Sequence, residues 1–204
     1  MLTEKIKISN SGEGMNEALE LADSLAKTLK LDRKKTFHLR LLAEELFSMV
    51  RAITENFTGD FWLEEENHTC KLFLEAKANL DYAKRREFLD VSTQGENIAQ
   101  RGIMEKIREV FEAGLYNVQE SFNIQAEYGT GMFHYGAIGV ADSGMSEAIY
   151  AWSMQKYKDT INSERSGNSD AWDELEKSII ANIADDVQVG VTKDSVKLIV
   201  LKKF

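Results

Sequence analysis

Glu45 and the residues around it carry the clearest hint of chemistry in this sequence. Residues 37–53 have the periodicity of a helix. At about 100° per residue, Leu41, Leu42, Leu46, Met49 and Ile53 fall on one apolar stripe. Glu45 lies near the middle of that stripe, while Glu44 points away from it. A carboxylate aimed at a core is costly unless it is paired, hydrogen-bonded or open to a cavity. Glu45 is therefore one of two things. It is a structural acid with a partner, for which His38 two turns earlier is the nearest choice, or it marks a site.

Other side chains offer less. His38, His68 and His134 show no metal-ligand spacing, and the single cysteine, Cys70, excludes an intrachain disulfide and a Cys-rich metal centre. No metal site is expected. The Gly-rich stretch at 128–139 lacks a Gly-Lys-Ser/Thr signature and a strand leading into it, so a lid or adhesive loop suits it better than a phosphate cradle. Asp170, Asp173, Glu174 and Glu176 fit a helix N-terminus, where the macrodipole favours carboxylates.

The elements that must position Glu45 follow from the pattern of apolar residues. A short strand over 4–9 precedes a turn at 11–14 and an amphipathic helix over 15–29. Asp32 offers an N-cap for the helix that carries Glu45. A hairpin is expected with strands at 61–64 and 69–78. Leu72, Leu74, Ala76 and Ala78 share one face of the second strand, and the face with Lys71, Phe73, Glu75 and Lys77 is mostly solvated. Helices are expected at 82–89, at 98–111, at 143–161 and at 171–184, the last capped by Asp170. A closing hairpin alternates Val187, Val189 and Val191 with Val196, Leu198 and Val200. Strands at both ends and in the middle, with helices between them, predict an α/β (α+β) two-layer sandwich: a mixed sheet with helices on one face.

Composition bounds the function. The chain has 204 residues, 43% hydrophobic and 29% charged, which is ordinary for a globular domain. A net charge of −9 argues against nucleic acid as a partner, since that surface needs clustered Lys and Arg. No apolar run reaches the ~18 residues of a membrane span, and the N-terminus has no signal-peptide core, so no membrane association and a cytoplasmic location are expected.

The element order, the Lys-Leu-Asp junction at 30–32 and the run Leu42-Ala43-Glu44-Glu45-Leu46-Phe47-Ser48-Met49 resemble the histidine-kinase-like (GHKL) ATPases, and within them the anti-sigma-factor serine kinases. The closing run from Ile183 to Val189 is similar to that family's end. The resemblance covers residues 4–79 and 170–204. It implies one GHKL-like domain over 1–204, with 80–169 inserted in place of the nucleotide lid.

The resemblance also implies roles. The family's Glu-x-x-x-Asn motif makes Glu45 the general base. Met49 stands where the family's Asn holds Mg²⁺, and a thioether is too soft to replace a hard oxygen donor. Ala76 and Ala78 take inward positions on the strand whose end carries the family's adenine-reading Asp, and Asp81 is the nearest acid. Ala171-Trp172-Asp173-Glu174-Leu175 replaces a Gly-x-Gly-Leu phosphate loop with bulky and acidic side chains. Phosphoryl transfer depends on positioning and on metal-assisted charge stabilisation, so these departures predict a pseudo-ATPase without a cofactor. Such a protein acts by binding another protein: a sigma factor, its antagonist or a related signalling component, with a homodimer also compatible. The alternative is an active ATP-dependent serine kinase with rearranged motifs, which would use Mg-ATP and draw a metal ligand from elsewhere, for example Asp81.

Overall fold

In the computed structural model the described residues are 1–53, 56–78, 150–163, 178–191 and 195–204. In chain order the elements are β1 (Ile6–Ser9), α1 (Met15–Thr28), α2 (Arg33–Ile53), β2 (Phe57–Glu66), β3 (Thr69–Ala78), β4 (Tyr150–Ser153), α3 (Met154–Ser163), α4 (Ile179–Ile183), β5 (Asp186–Val191) and β6 (Ser195–Lys203). The expected helices at 82–89 and 98–111 and the Gly-rich stretch at 128–139 lie outside the described residues.

Local chemistry sets the element ends. Gly14 caps α1 at φ 72°, and a Cβ there would sit 1.8 Å from the Lys7 carbonyl oxygen, so only glycine fits. Lys30, at φ 53°, turns the chain after α1. Asp32 then caps α2 as expected, its Oδ1 accepting the Lys35 N–H at 2.9 Å. Asn67 and His68, both at positive φ, form the two-residue turn between β2 and β3. The first strand of this hairpin, expected at 61–64, is longer and takes in Gly59 and Asp60.

The six strands form one sheet in the order β1-β2-β3-β6-β5-β4. Every described pairing is antiparallel, which corrects the expectation of a mixed sheet. The reason is in the connections. The two-residue turn at Asn67–His68 reverses the chain between β2 and β3, and the pair of helices after β1 returns it to the end of the sheet that it left.

α1, α2 and α4 pack on one face. There Ala18, Ala22, Leu25 and Ala26 of α1 and Leu39, Leu42, Ala43 and Leu46 of α2 meet Phe61, Leu63, Leu72, Leu74, Val187, Val189, Leu198 and Val200 of the sheet. Each fully buried large apolar side chain contributes about 1.5–3 kcal/mol.

Two expectations change in the C-terminal half. The segment 150–153, expected within a helix over 143–161, is a strand, because β4 pairs with β5 through Tyr150↔Val191 to Ser153↔Gln188. The helix starts only at Met154, where Asp186 Oδ1 accepts the Gln155 N–H at 2.9 Å and Ser153 Oγ accepts from Lys156 at 3.4 Å. β4 and α3 fall within the segment 80–169 expected as an insertion, yet β4 is an edge of the common sheet. Of the helix expected over 171–184, the described part begins at Ile179 after the extended Ser178, whose hydroxyl accepts the Ala181 N–H; Asp170, the expected cap, lies outside the described residues. Among the described residues no helix is long and apolar enough to cross a membrane.

The second face of the sheet is not the solvated surface expected around Phe73. Trp62, Phe73, Ile199, Gln188 and Ser153 stand in register on neighbouring strands, and all five are buried. The Trp62 and Phe73 rings stack at 4.9 Å, with Lys5 Nζ 4.2 Å from the Trp62 ring centre. Trp62→Ala or Phe73→Ala is therefore expected to cost about 3–5 kcal/mol in urea unfolding, as in a core. A loss within about 0.5 kcal/mol, typical of surface positions, would contradict the second buried layer.

Candidate functional site

α2 places the residues that the sequence singles out. Its buried side chains are Leu39, Leu42, Ala43, Leu46, Phe47, Met49 and Val50. That stripe centres near Leu46, and Leu41, expected on it, is only half-buried. Glu45 is one residue, or about 100°, away from Leu46. It therefore sits on the flank of the buried stripe, half-buried, and not in its middle.

The two neighbouring acids have opposite surroundings. Glu44 is exposed and accepts from Arg40 Nε at 3.3 Å, while Arg40 Nη1 reaches Asp23 Oδ2 on α1 at 2.7 Å. These surface pairs contribute at most about 1 kcal/mol each. Glu45 has no hydrogen bond or ion pair to another described residue, and His38, its expected partner, does not bond it. Burial, and secondarily the charge of Glu44, raises the Glu45 carboxyl above its ordinary value of 4.5. Such a carboxyl is suited to hold a proton closer to neutrality than a solvated glutamate.

The remaining candidate positions fall as follows. Met49, one turn after Glu45, is 2% exposed and belongs to the main core. Ala76 is fully buried on β3, facing the helices, and pairs with Gly59 and Val196. Ala78 ends β3 opposite Phe57. Asp81 and the segment 171–175 lie outside the described residues. The structure thus brings Glu45 and Met49 together on one helix, above the sheet strand that holds Ala76. Among the described residues no three His, Cys, Asp or Glu side chains gather as a metal-binding group. Cys70 is buried, and burial pushes its thiol up to about 11, so it is an inert packing residue.

Motif reasoning passes over the run of cations at 27–35. It is visible in the sequence as a local excess of Lys and Arg, and it lies at the turn between α1 and α2.

Comparison with protein-family models, with curated proteins and with solved structures gives no match for this chain.

The placement of Glu45 has a pH signature. A carboxyl with a raised folded pKa destabilises the fold when ionised, so stability is lost as pH rises from the ordinary value of 4.5 through the raised one. Glu45→Gln removes that titration. The melting temperature of the variant relative to the native chain is expected to climb from acid to mildly alkaline pH. A difference that stays constant over that range would show that Glu45 is not desolvated.

Proposed function

We propose that the chain is a cytoplasmic regulatory protein that acts by binding another protein, on a degenerate sandwich of the GHKL type. Three features support this reading. A strand, two helices and a hairpin open the chain, and a helix and a hairpin close it. The helices α1, α2 and α4 share one face of the sheet. Glu45 occupies the position of the family's general base on α2.

One observation carries the loss of activity. Met49 stands where the resemblance requires a hard oxygen donor for Mg²⁺, and it is 2% exposed within the apolar core. A ligand there would need both a different element and a different direction. By resemblance the partner is a sigma factor, an antagonist or a related signalling component, and no cofactor is required.

The second reading is an active ATP-dependent serine kinase. The raised Glu45 carboxyl, without a partner among the described residues, favours it, because a base needs that tuning. Asp81 would then supply the metal ligand that Met49 lacks.

Titration with Mg·ATP separates the two. The pseudo-ATPase reading expects no heat of binding and no shift in melting temperature. A bound nucleotide at one hundred times its Kd would stabilise the fold by about 2.7 kcal/mol, and stabilisation of that size would contradict the pseudo-ATPase reading.

A further inference from the structure

The turn between α1 and α2 concentrates positive charge. Lys27, Lys30, Arg33, Lys34 and Lys35 fall close together, with Asp32 the one acid among them, in a chain of net charge −9. Lys27, Lys30, Arg33 and Lys34 are exposed, and Lys35 is half-exposed. None of the five forms an ion pair with another described residue.

Two features point to use of this surface rather than simple solvation. Arg33, Lys34 and Lys35 are the first three residues of α2, whose first turn contains no acid. That end of a helix carries the positive pole of the macrodipole, so the three cations work against it. Asp32 offsets only part of this, its carboxylate being committed to the Lys35 N–H. A local rule broken without a local gain is the mark of a functional position. Phe37 is the second feature. It is 61% exposed, and at i+4 from Arg33 and i+3 from Lys34 it shares their face. An exposed aromatic beside two cations on the same helix face has the character of an interface anchor.

We infer that this end of the α1–α2 pair is a docking surface for a short acidic segment of a partner protein. Phe37 is its apolar anchor, and Lys30, Arg33, Lys34 and Lys35 meet the partner's carboxylates. Charge complementarity selects the occupant. Its length is limited because the charge reverses along α1, where Glu17 and Glu20 are exposed. A long polyanion or an anionic membrane would run from the cations onto those acids.

This inference rests on the protein-binding reading and names the chemistry of the partner. Its test uses the full chain with a labelled helical peptide of Glu, Leu and Ala. The controls are the same peptide with Gln for Glu, a short duplex DNA, and vesicles containing phosphatidylserine. The acidic peptide is expected to bind, to weaken with added salt, and to lose about tenfold or more in affinity with Arg33→Glu/Lys34→Glu/Lys35→Glu and with Phe37→Ala. The triple variant is expected to melt no lower than the native chain, since glutamates suit a helix start. The inference is overturned if the acidic peptide does not bind, if the Gln peptide binds equally well, if neither variant weakens binding, or if DNA or vesicles bind more tightly through the same residues. Mg·ATP titration of the same preparation decides the pseudo-ATPase reading separately. Nucleotide binding would end that reading and leave the docking surface to be judged on the peptide alone.

Discussion

The rotational setting of α2 against the sheet governs the rest of the molecule. Leu39, Leu42, Leu46 and Val50 form the centre of its buried stripe, packed over the strands that carry Leu72, Leu74, Leu198 and Val200. Together these contacts contribute several kcal/mol, far more than any polar interaction on the helix. Once that stripe is fixed, no other residue of α2 is free to choose its direction. Met49 goes into the core, Glu45 goes to the flank, and Phe37 with Arg33 and Lys34 goes outward.

The same geometry separates two kinds of chemistry. On the flank, Glu45 loses water without gaining a described partner, and its proton affinity rises. At the N-terminal end, the cations gain no ion-pair partner among the described residues and oppose the helix dipole. Each feature costs some stability, and neither is needed to close the core. The second face of the sheet behaves differently. There the stacked Trp62 and Phe73, with Lys5 over the indole and Ile199 beside them, form a small apolar cluster of the sheet's own side chains.

Much of this was legible in the sequence. The strand at the start, the first two helices, the cap at Asp32 and both hairpins follow from periodicity and turn residues. The phase of α2 was harder to read. Leu41 is as apolar as Leu39 and Val50, and only tertiary packing leaves it half-buried while they close the core. The strand at Tyr150–Ser153 was masked by the helical pattern that follows it, and its partner β5 lies far along the chain. Phe73 looked like a lone apolar residue between charges. Its stacking partner, Trp62, is on another strand, and a one-strand reading cannot see it. The direction of the strands likewise depends on connections rather than on composition.

The central claim is that α2 closes the position where a metal-bound nucleotide would need its ligand. The most direct measurement is the methyl NMR signal of Met49 during titration with Mn²⁺·ATP, in which the paramagnetic ion broadens only nearby groups. The account predicts that the Met49 methyl keeps its line width while exposed groups broaden weakly and non-specifically. Selective broadening of Met49 at low Mn²⁺·ATP would place a metal beside it and contradict the account.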